Sequence, residues 1–300
     1  MIPPAPTPDH DRPRGAAGSA GERAGSGAGD AGAAGTLPVR TEALTKIYHD
    51  DGRGEVRAVD RVDLTCRRGE ILGLLGANGA GKTTALRMLS TVLQPTGGRA
   101  WVMGHEVREE PERVRERLGF YSASTALYPK ITPRETLRFF ARVNRYPAER
   151  VEARVEELID RFGIGDFADS RVEKLSSGMK QKVSIARTVA HDPPVLIFDE
   201  PTVALDVLNA IELRGIIGGL RDEGKAILFS THIMSEAEQL CDRIAIIHQG
   251  KILATGTLDE LREATGLHYL EEIFVHYAGV RDTDEATLEQ MQPAEEAEGG

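Results

Sequence analysis

Two cysteines, one tryptophan and 5% aromatic residues are all that a chain of 300 residues holds of the side chains that build disulfide frameworks and aromatic cages. Cys66 and Cys241 sit in no metal-ligand spacing, which excludes a cysteine-rich metal centre and fits a reducing compartment. Also missing is any run of the ~18 to 20 apolar residues that a membrane span requires, so the chain is expected to be soluble by itself and any membrane role to need another chain. The start has no apolar stretch behind a basic one, which argues against a secretory signal. Positive charge is scarce too. The net charge is −10; the last 20 residues set Arg281 against seven carboxylates, a net of −6, and the first 36 carry −1. That leaves −3 for residues 37–280, too close to neutral to predict a nucleic-acid partner.

What is present is concentrated between two unusual ends. Residues 1–36 are almost all Gly, Ala, Pro and polar residues, a composition that cannot bury enough apolar surface to offset chain entropy, and are expected to form a disordered tail. Residues 281–300 form an acidic, self-repelling tail by the same reasoning. Between them, short β-like runs from residue 38 predict an antiparallel β subdomain. The aliphatic runs ILGLL (71–75), VLIF (195–198), AILFS (226–230) and IAII (244–247) predict strands buried on both faces. ALRMLSTVL, with Leu86, Leu89, Val92 and Leu93 at helical spacing, predicts a helix behind the first of them. Residues 121–190 predict an inserted helical subdomain. One of its helices opens on Thr132-Pro133-Arg134-Glu135, a capping box with Pro at the first helical position; another carries Val151, Val155, Leu158, Ile159 and Phe162 on one stripe. The fold class is α/β, with a mostly parallel sheet.

Gly76-Ala77-Asn78-Gly79-Ala80-Gly81-Lys82-Thr83 matches the phosphate-binding loop in the strand-to-helix context that its chemistry needs. Glycines let several N–H groups converge on one anion, and the helix start adds partial positive charge. Lys82 would reach the β- and γ-phosphates and the Thr83 hydroxyl would take a place on Mg²⁺. VLIFDE delivers Asp199 to the same end of the sheet, where it can hold the metal through water, and Glu200 follows as the candidate general base. The plainer readings, a Gly-rich turn and two solvated acids, account for each motif singly but not for both together. A third stretch, LSSGMKQK (175–182), opens a helix with small polar residues and a Gly, so its first N–H groups stand exposed.

Gly76 to Thr84, Leu175 to Met179, Asp199-Glu200, Ala204-Leu205-Asp206 and His232 stand in an order that resembles the ATP-binding subunit of an ABC transporter, over about residues 38–260. The resemblance implies a phosphate-loop NTPase core and a cassette spanning residues 37–280. It makes Ser176, Ser177 and Gly178 a signature that binds the γ-phosphate of ATP held by the other subunit of a head-to-tail homodimer. It makes His232 the switch histidine at the γ-phosphate, Asp206 the D-loop acid at the dimer interface and Tyr48 the aromatic that stacks on adenine. Four positions depart from the family pattern. Ser177 and Met179 replace a Gly and the Gln of LSGGQ, Ala204 replaces a Gly, and the Gln expected after LGFYS is Ala123 or, one residue on, Ser124.

LYPKITPRETLRFFARV, GMKQKVSIARTVAHDPPVLIFDEPT and FSTHIMSEAEQLCDRIAIIHQGKILATGT are most similar to the ATPase of two-component (ABC-2 type) exporters, the sodium-extruding type above all. Drug and antibiotic exporter ATPases share much of this wording and stand as the alternative. The resemblance implies ATP and Mg²⁺ as cofactors, a separate transmembrane permease as partner and a cytoplasmic place on the inner face of the membrane. A non-transport ABC ATPase acting on ribosomes or DNA would show a second cassette or a long coiled-coil insertion, and a regulatory module without turnover would not need Glu200.

Overall fold

The computed structural model describes residues 37–50, 54–123, 125–203 and 205–279; the tails expected at 1–36 and 281–300, and positions 124 and 204, lie outside them. Strands β1 (Val39–Asp50), β2 (Gly54–Val62) and β3 (Thr65–Cys66) open the chain, followed by β4 (Glu70–Leu75) and helix α1 (Lys82–Leu89). Next come β5 (Gly97–Val102), β6 (His105–Glu106), α2 (Pro111–Arg117) and β7 (Leu118–Ser122). Helices α3 (Pro133–Val143), α4 (Val151–Arg161) and α5 (Ser177–Thr188) then precede β8 (Val195–Asp199) and α6 (Val207–Asp222). The series closes with β9 (Ala226–Thr231), α7 (Met234–Leu240), the hairpin β10 (Arg243–His248) and β11 (Lys251–Gly256), α8 (Leu258–Thr265) and α9 (Leu270–Ala278).

Two sheets result. One is antiparallel, ordered β2-β1-β5-β6 with β3 also on β1. The other runs β11-β10-β4-β9-β8-β7 and is parallel from β10 to β7. Every residue of β4, β8 and β9 is buried, because these central strands are covered on both faces. The period of two sorts their side chains. Leu196, Phe198, Ile227 and Phe229 join the core under the inserted helices, whereas Val195, Ile197, Leu72 and Leu228 join the core shared with α1 and the antiparallel sheet.

The capping box of α3 forms as its sequence predicts: the Thr132 hydroxyl accepts from the Glu135 N–H, and the Glu135 carboxylate accepts from the Thr132 N–H. Val151, Val155, Leu158, Ile159 and Phe162 are all buried in the core below α3–α5. The helix after β4 is shorter than its hydrophobic spacing implies. Thr91 adopts φ 61 and ends it, leaving Val92 exposed at 65% and Leu93 folded back against the core. Strand β7 carries the sheet to Ser122, two residues into the range read as helical. Two buried cations tie the inserted helices to the sheet: Arg154 donates to the Val189 carbonyl (2.9 Å) and Lys225 to Asp192 (2.5 Å), which Arg154 also faces at 3.6 Å.

The β10–β11 turn reaches toward α1. Gly250 donates its N–H to the Ala80 carbonyl (2.9 Å) and accepts at its own carbonyl from the Asp60 N–H of β2 (2.8 Å). No helix among the described residues is long and apolar enough to cross a membrane.

Candidate active site

Strands β4, β9 and β8 lie side by side and parallel, so their C-terminal ends form one edge, the place where α/β sheets bind ligands. From β4 the chain turns through residues 76–81, and Ala77, Asn78 and Gly79 of this turn are exposed. Gly81 is required twice over. Its φ of 106 is closed to other residues, and a Cβ there would stand 2.4 Å from the Ala58 carbonyl oxygen. Gly81→Ala should therefore lower the unfolding free energy by about 1–3 kcal/mol, the usual cost of such strain; an unchanged denaturant midpoint would show that the loop yields instead.

Lys82 is 4% exposed and faces three acceptors: the Gly76 carbonyl (2.7 Å), the Ala77 carbonyl (3.2 Å) and Glu200 Oε1 (3.1 Å). Next to it, the Thr83 hydroxyl donates to Asp199 Oδ1 (3.1 Å), which also accepts from Ser230 Oγ (2.7 Å). Asp199 is buried at the end of β8. Glu200 follows in the left-handed region, φ 49, held by its N–H donating to the Ser230 carbonyl (3.2 Å) and hydroxyl (3.1 Å). His232 Nδ1 lies 3.2 Å from the same Glu200 Oε1 that meets Lys82. Burial raises the Glu200 pKa, but hydrogen bonds from Lys82 and His232 outweigh it and hold the carboxyl below its ordinary range. Glu200 is thus kept ionised between two cationic or donor groups.

The signature residues are elsewhere. Ser176 caps α5, its hydroxyl accepting from the Met179 N–H (3.3 Å), and Ser176 and Ser177 are exposed. Among the described residues neither hydrogen-bonds the Lys82–Glu200 cluster; Gly178 instead lies beside Asn209 and Leu205. Asp206 caps α6, with Oδ1 accepting from the Asn209 N–H (3.0 Å), and hydrogen bonds from Asn209 lower its pKa. Tyr48 is 42% exposed, with the Lys46 ammonium 5.2 Å from its ring; it pairs with Val56 on the ribbon whose Ala58 carbonyl meets Gly81.

Ala123 is exposed in the turn after β7. With Tyr121, Ser177, Gln181 and Val203 it lines a cavity of about 770 Å³ between that turn and α5. Sequence reasoning missed the side chains that shape this region. Gln181 donates to the Pro201 carbonyl, and buried Arg187 donates to the carbonyls of Ala126 (3.1 Å) and Thr125 (3.2 Å). Buried Glu236 accepts from Thr202 (2.9 Å) and Thr231 (2.8 Å). Gln181 alone stood next to a motif, two residues after Met179; the partners of Arg187 lie more than 60 positions away and Thr202 lies 34 from Glu236.

The family model described as ABC transporter matches residues 59–203. The ABC transporter ATP-binding protein NatA of Bacillus subtilis (strain 168) is 42% identical over 226 residues, covering 75% of this chain and 92% of that protein. The chain belongs to the ABC transporter family. It is an ABC ATP-binding subunit, and an ATPase. Another ABC relative, the daunorubicin/doxorubicin resistance ATP-binding protein DrrA of Streptomyces peucetius, is 39% identical over 235 residues, 78% of this chain and 70% of that one. The dimeric structure of the ATP-binding cassette MJ0796 bound to ADP and phosphate superposes with a TM-score of 0.67 at 26% identity, covering 73% of this chain and 98% of that one. ABC membership agrees with the family that the order of these motifs resembles.

Proposed function

We propose that two copies of this chain bind two ATP molecules head to tail and energise export through a separate transmembrane permease, the subunits standing on the cytoplasmic face of the membrane. The observation that supports this most directly is a division within one chain. Lys82, Thr83, Asp199, Glu200 and His232 converge, while the exposed start of α5 stays apart, so a complete site needs the signature of a second copy. The dimeric cassette that this fold resembles supports the same arrangement.

In this reading the N–H groups of residues 76–84 cradle the phosphates, Lys82 neutralises β- and γ-oxygens, and Tyr48 stacks on adenine. Glu200, held ionised, accepts a proton from the attacking water, and His232 orients that water and the γ-phosphate. Ser176, Ser177 and Gly178 bind the partner's γ-phosphate, with Asp206 at the interface. Thr83 and Asp199 fit Mg²⁺: they are adjacent oxygen donors, the hard ligands this ion prefers, and no group of three or more His, Cys, Asp or Glu among the described residues forms a fuller metal cage. Bound there, Mg²⁺ would offset charge on the phosphate oxygens. The cargo never touches this chain. Sodium is the cargo that its wording resembles most, and the resistance ATPase of Streptomyces peucetius keeps drug efflux beside it.

Ser176→Arg tests the composite site. The substitution should leave ATP binding intact and abolish ATP-driven dimerisation in sedimentation, because its bulk stands where the partner's nucleotide would sit; within its own chain it removes one cap hydrogen bond of α5, away from Lys82 and Glu200. Normal dimers with ATP would remove the signature from the interface.

A further inference from the structure

Glu200 is fixed from one side by Ser230 of β9, and from the other side something must hold the segment that follows it. Pro201 has no N–H to give, and its carbonyl points away from the sheet edge toward α5. There it accepts from the Gln181 side-chain amide. The same amide hydrogen-bonds the phenol of buried Tyr121 and so counters part of the rise that burial imposes on it. Tyr121 is in register with Phe198, one residue before Asp199. Gln181 therefore stands between the strand pair carrying the acids and a helix whose first residues are the signature, four positions earlier.

We propose that Gln181 is a positioning residue for hydrolysis: by holding the Pro201 carbonyl it links the place of Glu200 to the place of the signature turn 176–178. This rests on the reading of Glu200 as general base. The link runs through one turn of a rigid helix, so a phosphate of the partner's ATP that draws the signature turn also draws Gln181, and with it the backbone next to Glu200. Ala123, on the wall of the same cavity, has no amide with which to make such a link. The carboxamide absent from position 123 is thus matched by one presented from α5.

The test uses the full chain as a purified Mg·ATP hydrolase. Gln181→Ala should lower kcat by about tenfold, the effect of one lost hydrogen bond carried into the barrier, and leave KM for ATP within about threefold and the melting temperature nearly unchanged. Gln181→Glu has the same length but, ionised, sets a negative oxygen against the Pro201 carbonyl. Protonated, it donates again. Its kcat relative to the parent should therefore rise as the pH is lowered from about 7 toward about 5, approaching the ordinary carboxyl range, a signature that a packing role would not give. Unchanged kcat in Gln181→Ala, or a flat ratio across pH in Gln181→Glu, overturns the proposal. If Glu200→Gln itself retains full turnover, the base assignment fails first, whatever Gln181 does; a dead Glu200→Gln beside a normal Gln181→Ala sinks the link alone.

Discussion

Glu200→Gln is expected to bind ATP as the parent does and to hydrolyse it about 10² to 10⁴-fold more slowly, the range by which a positioned base accelerates proton transfer. The amide keeps the size of the carboxylate and can still meet Lys82 and His232, so the site's shape survives. What it loses is the ability to take a proton. In the parent that ability is protected at neutral pH, because the Lys82 and His232 hydrogen bonds hold the Glu200 pKa below its ordinary value and the group is charged well before pH 7. With hydrolysis stalled, the ATP-bound dimer should accumulate and be visible by size-exclusion chromatography. Turnover within a few-fold of the parent would take Glu200 out of the proton transfer.

Lys82→Ala should act one step earlier, on binding. A charge-assisted hydrogen bond contributes about 1.5–3 kcal/mol, so ATP affinity should fall by roughly tenfold to a few hundredfold. The ammonium is nearly buried and has three acceptors. Its removal strands the Gly76 and Ala77 carbonyls and strips Glu200 of its nearest cation, so the Glu200 pKa should rise in this variant. Calorimetric titration with a non-hydrolysed ATP analogue reads the affinity directly. Binding as tight as the parent's would mean that the backbone of the loop holds the phosphates without the lysine.

These expectations could be framed from sequence because the decisive groups are local to strongly patterned segments. The runs 71–75, 195–198 and 226–229 are wholly apolar because both faces of β4, β8 and β9 are covered, and a motif at the end of such a run inherits its position from the sheet. The α3 capping box is legible for a similar reason, since all its atoms lie within four residues. Legibility fails where the deciding contact is distant or conformational. The end of α1 is set by the backbone of Thr91, which no periodicity displays. Ser230 reaches Asp199 across 31 positions and Gln181 reaches Pro201 across 20; each pair meets only once the sheet and the inserted helices have assembled. Asp206, read for the interface, also caps α6, because one side chain can serve a helix end at the surface that a second copy approaches.

The turn at Gly250 gives the phosphate loop a property of its own. Ala80 is hydrogen-bonded to Gly250, Gly250 to Asp60, and Gly81 rests on Ala58, so the loop is braced by a hairpin from one sheet and a ribbon from the other. Its curl is preorganised. An incoming triphosphate then has little backbone left to order, and the entropy cost that flexible loops charge against affinity has already been met during folding. The amides of Gly250 and Asp60 should accordingly resist hydrogen exchange to the same degree with and without nucleotide, placing the mobility of the catalytic cycle in the inserted helices rather than in the anion cradle.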